Sequence, residues 1–278
     1  MRPAIVEFLD RVFGTELFRY LVPNYLMMLC LGMFVGTIIS VLRARKRNLD
    51  PDPLLGLILW AFPAALLGGR LLHFILEPEA YSGGVASFFD PLQGGGVAYG
   101  GLLAGTLAGL IYLLRRGQGV WNYLDCAAPG LGIAVALTRL GCFLDGCDYG
   151  LVSEVPWALR FPAGSPAHGF HVVQGLVALE APCSLPVHPT QLYLAAKGLL
   201  LAGGAWAWGR WMRPRPGEEF LVLWILYAVL RFAVEFLRGD PERGFVGPLS
   251  TSQAISIPVF LAAAALFWRR RTLQTGDS

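Results

Sequence analysis

Charged residues are scarce in this chain of 278 residues. They make up 15% of the sequence, whereas an average soluble domain has about 25%. Hydrophobic residues make up 55%. This imbalance excludes an ordinary water-soluble fold, and we expect the lipid bilayer to be the main solvent of the chain.

Cysteine is also sparse. Five cysteines are too few for a fold held together by a disulfide scaffold. We expect Cys30 and Cys126 to be small buried residues. Cys142, Cys147 and Cys183 fall toward one side of the predicted membrane region, and the sequence leaves open whether two of them form a disulfide. No group of ligands has the spacing of a metal site, so we expect no metal and no cofactor.

The N-terminus lacks the apolar core of a signal peptide, because Glu7, Asp10 and Glu16 interrupt the first twenty residues. The apolar side chains of this segment share one helical face instead. That pattern predicts an amphipathic helix lying in the membrane interface. Internal repeats, which are typical of many transporters, are not found.

Seven segments are long and apolar enough to cross a bilayer, which takes about 20 residues in a helix. They are residues 20–42, 54–76, 96–114, 121–144, 189–209, 219–237 and 250–268. No long linker separates them, so we predict an all-α membrane protein with about seven transmembrane helices in a single domain, residues 1–278. The prolines of residues 145–187 disfavour long helices, which predicts a small irregular extracytoplasmic cap with a few short strands.

Basic residues predict the orientation of these spans. Twelve follow the odd-numbered spans in dense clusters, against six on the other side. By the positive-inside rule the clusters are cytoplasmic, which puts the N-terminus outside and the C-terminus inside. Basic residues grouped at span ends indicate membrane orientation and not a nucleic-acid surface.

Ionisable residues also occur inside the predicted spans, where each costs on the order of 3 kcal/mol. Arg139 and Arg231 lie there with few acidic partners, which suggests an anionic ligand such as a phospholipid headgroup. Tyr227, Arg231 and Glu235 share one helical face, so the last two can pair. A structural ion pair that only fixes helix packing explains this pair equally well. We expect Lys197 to snorkel toward the interface.

Five glycines surround Tyr99 at the start of the third span, at positions 94, 95, 96, 100 and 101. They leave backbone amides accessible to a ligand. No strand precedes them, so they are not a dinucleotide-binding loop. Gly101, Gly105 and Gly109 follow the small-xxx-small spacing that predicts close helix packing.

Several motifs occur in an order that covers nearly the whole chain. They are Asn-Tyr at 24–25, Gly-Arg-Leu at 69–71, the glycine run at 95–101, Asp-Cys-Ala-Ala-Pro at 125–129, the stretch 139–150, His-Pro-Thr-Gln-Leu-Tyr at 188–193, residues 227–238 and Ser-Thr-Ser-Gln at 250–253. Together they resemble the prolipoprotein diacylglyceryl transferase (Lgt) family.

The chain departs from the family pattern at several positions. Cys142, Asp145 and Cys147 stand where the family signature has two asparagines and a glutamate. Tyr99 stands where the third motif has a histidine, and Leu194 where a glutamate is usual. The chain thus resembles a divergent, cysteine-rich branch of the family.

The resemblance implies an activity at the outer side of the bacterial cytoplasmic membrane. A diacylglyceryl group would pass from phosphatidylglycerol to the lipobox cysteine thiol of a prolipoprotein. Such a displacement needs a base to form the thiolate and cations where charge develops on the leaving phosphate. We expect Arg139 and Arg231 to be those cations, and Tyr99 and His188 to be the candidates for the base.

Further residues are expected to bind the substrate. They are Tyr25, Gly95, Gly100, Gly101, Gly150, Gln191, Tyr227 and Glu235. Two other functions stay open on the sequence alone. One is a related phospholipid-using transferase with a different acceptor, and the other is a lipid-binding or transport protein without catalysis.

Overall fold

The structure, a computed structural model, describes residues 24–76, 78–81, 88, 98–117, 119–212, 214–240 and 245–272. The predicted N-terminal amphipathic helix and Gly95 lie outside these ranges. Packing divides the chain into two compact units, one within Met1–Ile39 and Ala127–Ser278 and the other within Ser40–Cys126. The single domain stays a prediction, and each unit is described by itself.

Helices make up most of the described chain. The α-helices are α1 (Asn24–Lys46), α2 (Asp52–Leu76), α3 (Ala98–Arg115), α4 (Val120–Asp145), α5 (Pro166–Val173), α6 (Thr190–Trp211), α7 (Glu218–Glu235) and α8 (Thr251–Thr272). A short 3₁₀-helix covers Pro78–Tyr81, and β1 (Phe245–Val246) pairs with β2 (Leu249–Ser250) as an antiparallel hairpin. Each predicted span overlaps one of these helices, and α5 is the one α-helix in this set that the span pattern did not predict.

Among the described residues, four helical segments are long and apolar enough to cross a membrane. They are Tyr25–Lys46, Asp52–Ile75, Val120–Asp145 and Thr251–Thr272, and a shorter apolar stretch covers Leu103–Arg115. Large apolar side chains such as Leu59 and Trp268 are exposed on these helices, as expected of surfaces that face lipid. The chain is therefore a helical membrane protein, while the number of seven spans stays a prediction.

Glycines set the contact of α2 with α3 in the unit Ser40–Cys126. A Cβ atom on Gly101 would lie 2.9 Å from the Ala65 oxygen, and one on Gly105 would lie 3.0 Å from the Ala61 oxygen. Because no larger residue fits there without moving the backbone, the two helices need glycine at these positions. The predicted close packing of this glycine series is confirmed.

Small residues also bring α4 close to its neighbours in the other unit. A Cβ atom on Gly36 of α1 would lie 2.7 Å from the Gly130 oxygen, and one on Gly198 of α6 would lie 2.5 Å from the Ala136 nitrogen. Helix α4 is therefore in backbone contact with both α1 and α6. Further along, a core of Ala128, Leu201, Ala205 and Leu223 joins α4, α6 and α7.

The segment between α4 and α6 has little regular structure, as its prolines predict. Helix α5 has eight residues, and the Ser165 hydroxyl caps it by accepting a hydrogen bond from the His168 nitrogen at 3.3 Å. Isolated bridges such as Val152 with Val187 take the place of the expected short strands. Tyr149, Phe161, Ala167 and Val187 form the buried core of this cap. Its extracytoplasmic location stays a prediction.

Alanine substitution at two glycines of α6 tests the contact between α4 and α6. We expect Gly198→Ala to destabilise the fold by about 1–3 kcal/mol, because the new methyl group meets α4 backbone atoms. A Cβ atom on Gly203 would have nothing within 4 Å, so Gly203→Ala should be neutral or stabilise the helix by up to about 1 kcal/mol. Thermal midpoints in detergent measure both, and equal midpoints would contradict the contact.

Candidate active site

A tight turn at residues 146–148 follows α4. It belongs to the stretch 139–150 that resembles the family signature and is called the signature turn below. The Gly146 and Cys147 nitrogens both donate to the Cys142 oxygen, at 2.9 and 3.2 Å. Gly146 has φ 76° and Asp148 has φ 55°, which are left-handed conformations that glycine and aspartate tolerate better than most residues. The turn therefore directs the chain back, so that Asp148 meets Arg139 of α4.

Asp148 is shared by two arginines. One of its carboxylate oxygens accepts from Nη1 of Arg139, and the other accepts from Nη2 of Arg238 at 2.6 Å. Arg238 also donates from Nε to Asp240 at 2.8 Å. Because every one of these charges is buried or mostly buried, pairing is what makes their burial tolerable.

The shared carboxylate is ionised. Burial by itself would raise the pKa of Asp148, but the guanidinium groups of Arg139 and Arg238 outweigh burial and hold the pKa below its ordinary value of 3.8. Burial would likewise lower the pKa of Arg238, yet its bonds to Asp240 and Asp148 raise that pKa. The carboxylate of Asp148 and the guanidinium groups around it therefore stabilise one another in their charged forms.

A second ion pair lies on α7, where sequence spacing predicted it. Arg231 Nη1 is 2.7 Å from a Glu235 carboxylate oxygen, and both side chains are buried. Arg231 also donates from Nη2 to the Ser252 hydroxyl at 2.7 Å. The predicted pairing of Arg231 with Glu235 is confirmed.

The start of α8 explains why Ser252 is available to Arg231. Ser250 and Gln253 form a capping box, in which the Ser250 nitrogen donates to the Gln253 side chain at 3.1 Å and the Gln253 nitrogen donates to the Ser250 hydroxyl at 3.2 Å. This reciprocal cap fixes the first turn of α8. Ser252 lies in that turn and faces α7.

The two arginines singled out by the sequence belong to one charged cluster. Arg139 and Arg231 act on each other electrostatically, and both act on Asp148. The Tyr227 hydroxyl, one turn before Arg231, influences both guanidinium groups. Within the described part of the chain Arg139 donates only from Nη1, so the rest of its planar fork can bind a ligand.

The signature cysteines lie beside this cluster. Arg139 Nη1 donates to Cys142 Sγ at 3.8 Å, and Cys147 Sγ donates to the Cys142 oxygen at 3.7 Å. All five cysteines, each within the described residues, are free thiols, which settles the question that the sequence left open about a disulfide. The contact with Cys142, followed by burial, raises the pKa of Cys147. Cys147 therefore stays protonated and is a poor nucleophile.

Cys142, Cys147 and Asp148 have donor atoms within 4.8 Å of one another, which is close enough for metal ligands. The charges argue against a cation there, because both Asp148 oxygens already accept from guanidinium groups. Two arginines would also repel the ion. These three residues are better explained as parts of the arginine network.

His188 belongs to a polar chain at the start of α6. Trp157 Nε1 donates to the Tyr193 oxygen at 2.6 Å, and the Tyr193 oxygen lies 3.1 Å from His188 Nδ1. An indole nitrogen can only donate, so all three groups are paired when the Tyr193 hydroxyl donates to Nδ1. A neutral His188 then carries its proton on Nε2, which makes that nitrogen a donor and not a ready base.

Gln191 and Gly150 hold the signature turn in place. Gln191, fully buried, donates from Nε2 to the backbone oxygen of Cys147 at 2.7 Å. The Thr190 hydroxyl donates to the backbone oxygen of Asp148 at 2.6 Å. The Gly150 nitrogen donates to the His188 oxygen at 2.9 Å, and a Cβ atom on Gly150 would lie 2.6 Å from that oxygen. These contacts are structural, and a role of either residue in substrate binding stays a prediction.

Tyr25 is exposed near the start of α1, and its backbone nitrogen donates to Asp145 at 3.1 Å. Its hydroxyl interacts electrostatically with Cys142 and Arg139, so the structure brings it to the charged cluster. Gly100 and Gly101 lie in the other unit, packed on α2. Tyr99 is the second residue of α3, and its side chain and all of Gly95 lie outside the described part of the chain.

Some residues of the cluster were not assigned a role from the sequence. Asp148, Arg238 and Asp240 lie within or beside the recognised motifs, but the spacing of a turn and a loop does not show which charges meet. The expectation that Lys197 snorkels is wrong. Its side chain is buried, with Nζ 3.9 Å from the centre of the Tyr227 ring.

These features define a class, namely a polytopic helical membrane protein with a buried arginine cluster suited to an anionic group. Residues 15–269 match the sequence model described as prolipoprotein diacylglyceryl transferase, and the chain belongs to that family.

Relatives support the assignment along most of the chain. The phosphatidylglycerol–prolipoprotein diacylglyceryl transferase 2 of Clostridium perfringens is 31% identical over 92% of this chain and 94% of its own length. The corresponding transferase of Clostridium tetani is 32% identical over 91% and 94%. That of Pseudomonas aeruginosa is 32% identical over 82% of each chain.

Replacing Asp148 by asparagine tests the shared carboxylate. We expect Asp148→Asn to destabilise the protein by roughly 1–3 kcal/mol, less than for a fully buried pair because part of the carboxylate is exposed. The pKa of Asp148 is lower in the folded state, so its ionised form stabilises the fold above about pH 4, and this contribution is lost as the pH falls through the folded-state value.

The measurement is the thermal midpoint as a function of pH. The gap between the wild type and Asp148→Asn should be constant from about pH 5 to 8 and narrow below about pH 4. Glu180→Gln, at an exposed position of the cap, removes the same charge and should change little. A gap that widens toward low pH would contradict the assigned network.

Proposed function

We propose that the protein transfers a diacylglyceryl group from phosphatidylglycerol to the cysteine thiol of a prolipoprotein lipobox. The observation that carries the proposal is that Arg139, whose side chain is mostly buried, and the buried Arg231 belong to one charged cluster. Membership of the family supports it, as do relatives whose names state this substrate pair. The same names favour catalysis over mere lipid binding.

The reaction is a displacement at carbon. The thiolate sulfur attacks the glyceryl carbon bonded to the phosphate oxygen, so a C–S bond forms while the C–O bond breaks. The electron pair leaves with glycerol phosphate, whose charge changes from −1 in the diester to −2 in the monoester. Cations placed at that phosphate stabilise the developing charge, and the open fork of Arg139 together with Arg231 suits this role.

The proton of the attacking thiol must pass to a base. His188 is one candidate for the base, and its backbone lies beside the signature turn, because its backbone oxygen accepts from the Gly150 nitrogen. His188 can accept the thiol proton at Nε2 only in the tautomer that carries its own proton on Nδ1. In that tautomer Nδ1 donates to the Tyr193 oxygen instead of accepting from it. Tyr99 is the other candidate, since it stands where the family has histidine.

Topology and location are part of the proposal. Seven spans, corresponding to α1–α4 and α6–α8, would place Arg43, Arg115, Arg210 and Arg269 on the cytoplasmic side. The N-terminus would then be outside, the cap at residues 145–187 would be extracytoplasmic, and the site would open toward the outer leaflet. For a bacterial protein this membrane is the cytoplasmic (inner) membrane, where prolipoproteins emerge.

A reconstituted assay tests the function. Purified protein in phosphatidylglycerol vesicles should convert a lipobox peptide into its thioether and release glycerol phosphate, both measured by mass spectrometry. Arg139→Ala and Arg231→Ala should each lower the rate by about 10²–10³-fold, because each removes a cation from the leaving phosphate.

A matched control uses an arginine outside the cluster. Arg160 donates to the Ser184 oxygen in the cap, and Arg160→Ala should retain nearly full activity. A peptide with serine in place of cysteine should give no product. Wild-type protein that releases glycerol phosphate without modifying the peptide would instead identify a lipid-using enzyme with another acceptor.

A further inference from the structure

Lys197 is a buried cation that neither the sequence motifs nor the mechanism above uses. It lies seven residues into α6, about 10 Å along the helix from its start. The side chain is 2% exposed. It directs its ammonium over the ring of Tyr227 on α7, at 3.9 Å from the ring centre.

The ammonium group lies among the arginines of the cluster. Arg139 and Arg231 both act on Lys197 electrostatically. The position follows from the packing, because the next residue, Gly198, touches the backbone of Ala136, one turn before Arg139 on α4. Tyr227 in turn lies one helical turn before Arg231 on α7. Lys197 thus lies where α4, α6 and α7 meet.

Each arginine of the cluster has a carboxylate partner, whereas a charged Lys197 would need a further anion. Arg139, Arg238 and Arg231 are paired with Asp148, Asp240 and Glu235. In its ammonium form Lys197 adds a fourth cation, and no carboxylate of the described residues lies within 4.0 Å of it. The face of the Tyr227 ring attracts the Lys197 ammonium but is not a conventional hydrogen-bond acceptor for its N–H groups. The two nearby guanidinium groups repel it.

We propose that the Lys197 ammonium binds a phosphate oxygen of the lipid diester, as a third cation beside Arg139 and Arg231. This inference rests on the proposed function and adds a residue to its phosphate site. An arginine fork recognises two oxygens of a phosphate in a plane, whereas a lysine supplies a compact point charge for a third. The Tyr227 ring holds the ammonium in position from the opposite side.

Substitution at Lys197 tests this role through lipid binding. The probe is phosphatidylglycerol with a fluorescent acyl chain in neutral detergent micelles, compared with diacylglycerol that carries the same chain and no phosphate. Lys197→Met should weaken phosphatidylglycerol binding by about 10- to 100-fold, the loss expected for one charge-assisted hydrogen bond. Diacylglycerol binding should not change, because this lipid has no phosphate.

Competition separates a lipid headgroup from free phosphate. Glycerol phosphate and inorganic phosphate are added to the wild type and to Lys197→Met. A lipid-headgroup site is indicated when glycerol phosphate displaces the probe and inorganic phosphate does not, whereas displacement by both indicates a general phosphate site. Leu199→Met, at an exposed position of the same helix, is the matched control and should bind as the wild type does.

A structural role for Lys197 makes different predictions. If the lysine only joins α6 to α7 through the Tyr227 ring, Lys197→Met should lower the thermal midpoint and leave the preference for phosphatidylglycerol over diacylglycerol intact. That result would overturn the proposal. Equal loss of both lipids would overturn it as well.

A measurement on the wild-type protein tests the proposal even if Lys197→Met fails to fold. The chain has two lysines, Lys46 and Lys197, so labelling with [ε-¹³C]lysine gives two side-chain resonances. The Lys197 resonance should shift saturably with phosphatidylglycerol and not with diacylglycerol, while exposed Lys46 serves as the reference. A Lys197 resonance that stays fixed at lipid saturation refutes the proposal.

The binding experiment is independent of the transfer reaction. Protein that binds phosphatidylglycerol through Lys197 but forms no thioether would reject the proposed transferase activity and keep the phosphate ligand. Protein that forms thioether at the same rate with Lys197→Met, at lipid concentrations below saturation, would reject the ligand and keep the transferase.

Discussion

The constraint on which the structure depends is that charge buried away from water must be paired. Asp148 satisfies it for two arginines at once, because its two oxygens accept from Arg139 and Arg238. A single carboxylate thereby joins α4 to the segment after α7. Breaking such a pair leaves a buried charge uncompensated, which costs far more than forming the pair gains.

Local structure around Asp148 serves this pairing. The left-handed residues of the signature turn redirect the chain, and Gln191 and Thr190 at the start of α6 hold the turn through its backbone oxygens. The capping box of α8 similarly presents Ser252 to Arg231. The first turns of α6 and α8, where backbone groups lack partners within the helix, therefore hold the charged cluster in position.

A cluster that is well paired can still present positive charge. Arginine has five N–H donors, so Arg139 holds Asp148 with one nitrogen and keeps the rest of its fork for a ligand. Departures from the family signature fit the same logic. Cys147 stands where the family has a polar or acidic residue and stays protonated beside the cluster, so it adds no charge that would compete with a phosphate for Arg139.

The sequence by itself determined the helical membrane class, the positions of the long helices and the pairing of Arg231 with Glu235, because each depends on composition or on the 3.6-residue period of one helix. The order of its motifs indicated the family. Tertiary structure alone decided that Asp148 bridges two arginines and that Lys197 is buried over Tyr227. Those contacts join residues far apart in the chain, and helix packing and turn geometry, which no local period encodes, bring them together.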